Sequence, residues 1–74
     1  MTGNKRLNNW LKANGITDIE FGASKDSYIG KIPAIYETKK PGQTRRRLIY
    51  KSPSFWELTE WVCRVYGLDI KSRP

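Results

Sequence analysis

Six cations and no acid stand between Lys39 and Lys51: Lys39, Lys40, Arg45, Arg46, Arg47 and Lys51. Residues 1–38 carry a balance of +1 and residues 52–74 a balance of zero, so this short segment holds +6 of the net +7. Charge gathered in this way suits a polyanion: a phosphate backbone or the acidic face of a protein. Arginine forks match phosphates and base edges with paired hydrogen bonds. Tyr36 lies just before the segment and offers a ring on which an unpaired base can stack. Trp56 lies just after it, and exposed tryptophan beside arginine is the composition of binding hot spots. The bland alternative is a basic protein whose lysines only keep a sheet edge from aggregating.

Other chemistries lack parts. There is no histidine and only one cysteine, Cys63, so neither a Cys/His zinc site nor a His-activated nucleophile can be built within one chain. Cys63 sits within an apolar helical pattern and reads as a small buried hydrophobe. No glycine-rich phosphate loop is present. One local pattern has catalytic precedent: Glu37-Thr38-Lys39-Lys40-Pro41-Gly42, with Asp26 upstream. It resembles the E-x-K-x-P-G stretch of virus-type nucleases of the PD-(D/E)xK superfamily. The resemblance implies Mg²⁺ held by Asp26 and Glu37, with Lys39 as the catalytic cation. The competing use of Glu37 is structural, as the cross-strand partner of Arg46. That use is preferred, so the sequence points to a non-enzymatic binder that needs no metal or cofactor.

These residues must be positioned by a small frame. Seventy-four residues allow one domain, with an ordered core expected over about 5–70. A chain this short buries only about 60% of the surface its unfolded form exposes. Leu7, Trp10 and Leu11 fall on one face of a helix over 5–14, with Asn4 as its cap and Asn14-Gly15 as its stop. Ile16 is placed to pack back onto the last turn. Alternation of Ile19 and Phe21 predicts a strand over 17–22, followed by a polar turn over 22–27. Residues 28–39 read as a second strand, and Arg45–Lys51 as a third returning from a turn at Pro41-Gly42.

A turn centred there pairs Ile35 with Leu48, Glu37 with Arg46, Tyr36 with Arg47, Thr38 with Arg45 and Ala34 with Ile49. Ile35, Leu48 and Tyr50 then face the core, while Tyr36, Arg45, Arg47 and Lys51 face outward. Tyr36 and Arg47 can alternatively satisfy each other as a cation–π pair. Pro53 fits a first helical position, and Ser54 with Glu57 a capping box. Phe55, Leu58, Trp61, Val62 and Val65 form the stripe of a second helix that ends at Gly67. Leu68 and Ile70 add a last contact before frayed terminal residues.

The expectation is an α+β domain of α-β-β-β-α order, a three-stranded antiparallel sheet with two helices on one face. Double-stranded RNA-binding domains share that order. Their basic cluster at the start of the last helix is replaced here by Ser52-Pro53-Ser54-Phe55-Trp56-Glu57, so that assignment is not made. No apolar run approaches the roughly 18 residues of a membrane span, the N-terminus carries no secretory pattern, and a reducing cytoplasmic setting is expected. The function expected is nucleic-acid binding, DNA or RNA, through Tyr36, Lys39, Lys40, Arg45, Arg47, Lys51 and Trp56. The alternative is an effector of phage or mobile-element type that inhibits or modulates a host protein through an acidic surface.

Overall fold

The computed structural model describes residues 3–73. Helix α1 (Gly3–Ala13) leads into strands β1 (Ile19–Asp26), β2 (Gly30–Glu37) and β3 (Leu48–Lys51), and then helix α2 (Phe55–Tyr66). A short 3-10 turn, Ile70–Ser72, follows. The strands form one antiparallel sheet in the order β1-β2-β3. This is the expected α-β-β-β-α domain. No helix among the described residues is long and apolar enough to cross a membrane.

Helix α1 buries Leu7, Trp10 and Leu11, the i, i+3, i+4 set. It starts at Gly3, so Asn4 lies inside it and is not its cap. Its end is as expected. Gly15 takes φ +72°, and the Ile16 N–H returns to the Leu11 carbonyl at 2.9 Å while Gly15 bonds Lys12. Helix α2 closes in the same way, with Gly67 at φ +69° and Leu68 N–H on the Cys63 carbonyl at 2.8 Å. In each case the turned-back residue is apolar, which drives the chain into the core.

The strands depart from expectation in two places. β1 runs on through Gly22 to Asp26, and the turn falls at Ser27–Ile29 instead of over 22–27. Asp26 Oδ1 accepts the Tyr28 and Ile29 N–H groups at 2.9 and 3.1 Å, which fixes that turn.

The second departure is the register of β2 and β3. Ile35 faces Tyr50, not Leu48, and Ala34 faces Lys51, not Ile49. The turn at Pro41-Gly42 does form, with Gln43 N–H on the Lys40 carbonyl at 3.1 Å and Gly42 at φ +88°. It does not extend the ladder. β2 stops at Glu37 and β3 begins at Leu48, so Arg45–Arg47 belong to a loop and not a strand. The expected register would set Lys39 and Lys40 diagonally beside Arg46 and Arg45, a repulsive arrangement. A bulge at Ile49 then lets Ile49 and Tyr50 both pack on the core side and turns Leu48 outward, opposite Tyr36.

The core joins Leu11, Phe21, Ile35, Leu58 and Val62 in one cluster between the helices and one sheet face. Ile32 and Ala34 are also buried, outside that cluster. The buried stripe of α2 is Leu58, Thr59, Val62 and Cys63, while Phe55 and Val65 are exposed, against expectation. Thr59 is tolerated because its hydroxyl donates to helix carbonyls of Phe55 and Trp56. Trp61 is half-buried and stacks on Tyr50 at 6.1 Å. The α2 start also differs. Ser54 is the N-cap but makes no side-chain cap bond, and Pro53 precedes the helix. Ser52 takes Glu57 instead, and its buried hydroxyl also accepts the Ser54 N–H. The expected capping box is thereby replaced.

Candidate binding surface

The loop from Thr38 to Arg47 leaves the sheet where β2 and β3 end. Lys39, Lys40 and Arg45 are exposed on it and form no salt bridge among the described residues. Arg47 is also exposed. Its Nε lies 3.4 Å from Glu37 Oε2, and its side chain is 78% accessible. An exposed pair of that kind is worth about 0–1 kcal/mol, so it hardly restrains Arg47 from meeting a ligand. Glu37 thus pairs with Arg47 and not with Arg46 as the expected register required. The Glu37 N–H also donates to the Arg47 carbonyl at 2.8 Å, which sets the two side by side.

Arg46 has a different task. Its guanidinium lies 4.3 Å from the centre of the Tyr36 ring, and Nη1 bonds Glu20 Oε1 at 2.8 Å. The Tyr36 ring rests on Gly22, where an added Cβ would stand 3.2 Å from it, and its hydroxyl donates to the Ala23 carbonyl at 2.9 Å. A side chain at 22 fits only if the ring gives way by a few tenths of an ångström. The Arg46 Nη1 would also stand 3.4 Å from that Cβ, so Gly22 and the guanidinium meet on the same side of the ring, and the face under Arg46 is taken as a stacking platform. The cation–π partner is Arg46 and not Arg47. This stack ties the middle of the Arg45–Arg47 run to the sheet face opposite the helices.

Lys39, Lys40 and Arg47 line a groove of about 580 Å³ between the loop and α2. Ile49, Trp61 and Tyr66 supply its apolar lining, and Asp18 and Glu37 its acids. Both acids are engaged. The Tyr66 hydroxyl donates between the two Asp18 oxygens, 3.0 Å from each. Burial foremost, and then this carboxylate, push the Tyr66 pKa up to about 12. The groove therefore offers exposed cations beside aromatic surface, which suits an anion with a flat apolar part.

Other expected site residues are dispersed. Lys51 is exposed in β3 opposite Ala34, away from the loop. Trp56 is 56% exposed on the first turn of α2, where the Arg73 guanidinium covers its ring. The terminal residues thus fold back, against the fraying expected. With Phe55 and Ile70, Trp56 lines a second groove of about 380 Å³ that also carries Arg6, Lys71 and Arg73. Cys63 is buried as expected, and burial raises its thiol pKa.

The nuclease-like set is not assembled. Asp26 pairs with Gly30 and Glu37 with Ile19, the two ends of one ladder, which puts them about 23 Å apart at the strand rise. Asp26 is also committed to its turn, whose two N–H groups hold its pKa below the usual value. The carboxylate that shares a groove with Glu37 and Lys39 is Asp18. No cluster of three or more His, Cys, Asp or Glu stands ready for a metal among the described residues. Asp18, Trp61 and Tyr66 were missed in the sequence because they meet the loop from distant positions. The signal available for Trp61 was only its place at the margin of the α2 stripe.

Neither a protein-family model, nor a curated protein, nor a solved structure matches this chain.

Proposed function

We propose that this chain is a small, non-enzymatic nucleic-acid-binding protein whose contact surface is the Thr38–Arg47 loop and the groove beside it. The observation that carries this is that Lys39, Lys40 and Arg45 are exposed on one loop with no salt-bridge partner among the described residues, Lys39 and Lys40 lining a groove shared with Trp61. Cations without partners repel one another, and a phosphate backbone relieves that repulsion while releasing its own counterions. The aromatic lining gives a base somewhere to rest.

Affinity for an oligonucleotide should fall linearly on a log–log plot against salt. If Lys39, Lys40, Arg45 and Arg47 each neutralise a phosphate, the slope is about −3.6 on duplex and −2.8 on single strands. Replacing Lys39, Lys40 and Arg45 with glutamine should remove about three quarters of that slope and leave the thermal melt unchanged, since all three are exposed. A flat salt dependence in the parent chain sinks the proposal.

The groove at Trp56 favours a second reading, an effector that docks on an acidic surface of a host protein. Phe55, Trp56 and Ile70 are exposed together there beside three cations. In that case a partner recovered from host lysate persists after nuclease treatment and is lost with Trp56→Ala. Recovery that disappears with the nucleic acid returns the case to the first reading.

A further inference from the structure

The turn between β1 and β2, at the far end of the sheet from the basic loop, has features the fold does not require. Tyr28 is 97% exposed and Ile29 63% exposed. Two adjacent large apolar side chains project from a turn that contributes nothing to the core cluster. Yet the turn is rigidly made, with Asp26 holding both of their N–H groups and Gly30 supplying φ +94°. Lys25 and Lys31 stand directly opposite one another at its base. Like charges in direct cross-strand register disfavour the strand pairing. Neither lysine has a salt-bridge partner among the described residues, and both are exposed. Aromatic surface held out on a fixed turn above two cations, with the one turn carboxylate, Asp26, engaged by backbone N–H groups, is complementary to a base with its flanking phosphates.

We infer that the Tyr28-Ile29 turn is a second contact for single-stranded nucleic acid, in which Tyr28 stacks on an unpaired base and Lys25 and Lys31 hold the phosphates on either side. This rests on the nucleic-acid reading above and adds to it a path and a length. The basic loop and the tip mark opposite ends of the β1–β2 ladder, about 23 Å apart at the strand rise. A bound strand that uses both contacts therefore runs along the β1–β2 ladder from one end to the other. Single strands are favoured over duplex because a paired base has no face free for the Tyr28 ring.

The test uses the full chain and an oligo-dT with one 2-aminopurine, titrated at several salt concentrations beside a duplex of equal length. Tyr28→Ala should weaken single-strand binding by about five- to one-hundred-fold, the range for loss of one base–aromatic stack. It should also abolish the 2-aminopurine fluorescence change while leaving the salt slope intact. Tyr28→Phe should restore both. Lys25→Gln with Lys31→Gln should lower the slope by about 1.4. Because Tyr28 is almost fully exposed, its substitution leaves the thermal melt unchanged. If Tyr28→Ala binds like the parent while loss of Lys39, Lys40 and Arg45 still removes about three quarters of the slope, the tip has no role and the loop reading stands. Preference for duplex overturns the tip in the same way. No binding of either oligonucleotide at low salt overturns both.

Discussion

Tyr66 reports on the groove from a single atom. Its hydroxyl sits between the oxygens of Asp18, and the pair closes one side of the space beside the basic loop. Burial comes first and the carboxylate second in raising its pKa to about 12. The folded-state value lies above the ordinary one near 10, so folding favours the neutral phenol. The stabilisation is complete below pH about 10 and is lost as pH climbs toward 12. An ultraviolet phenolate titration should show one tyrosine ionising near 12, and Asp18→Asn should bring it down only partway, leaving the part due to burial. A single transition near 10 for every tyrosine contradicts the contact. Neither partner was singled out in the sequence, because 48 positions separate them and neither carries a motif. Tyr36 shows the converse. Its neighbourhood with arginine was legible, but which arginine covers it depended on a bulge that no local pattern announces.

At the scale of elements, the helices were the most legible parts. Their stop signals are chemical: glycine at φ > 0 followed by an apolar residue that folds back. The strands were legible as strands but not in length or register, since pairing is decided by partners and repulsions from elsewhere in the chain. β1 also needed protection that its own sequence does not contain. It is an edge strand, and Asn8 on α1 covers it. The amide oxygen accepts the Phe21 N–H at 2.7 Å and the amide nitrogen donates to the Phe21 carbonyl at 3.2 Å, as a neighbouring strand would. Asn8→Ala exposes one edge N–H and one carbonyl that are partly buried. The expected cost is about 1–3 kcal/mol, seen as a lower denaturation midpoint. Faster amide exchange at Phe21 is expected with it, and unchanged protection there would show that the contact does not form.

For the whole molecule, the buried core and the exposed basic charge occupy different residues. Folded domains have about 0.05–0.15 kcal/mol of stability per residue, or about 4–11 kcal/mol for a chain of this length. Leu58 is fully buried at the meeting of both helices and the sheet. Leu58→Ala should cost about 2–5 kcal/mol, a large part of that total. Val65, on the same helix and in the same apolar pattern, is 55% exposed, and Val65→Ala should change stability by no more than about 0.5 kcal/mol. Urea midpoints of the two variants check the contrast, and equal midpoints would show that the helix faces are misassigned. The fold class followed from element order and periodicity, which are local properties. The site was legible as a charge but not as a shape, because its groove is assembled from Asp18, the loop and Trp61 only after the chain has folded.

The loop that carries most of this charge is joined to β2 and β3 at fixed ends and is tied down near those ends, by Thr38 on the Thr17 and Asp18 carbonyls and by Arg46 on Glu20 and Tyr36. The entropic cost of closing such a loop grows only with the logarithm of its length, by about 0.6 kcal/mol for a doubling. Residues can therefore be inserted, removed or exchanged between Lys39 and Arg45 at small thermodynamic expense while the two helices and three strands stay as they are. The charge pattern of this loop is free to drift without the demands of folding holding it in place, and on the reading proposed above that freedom becomes freedom to change ligand.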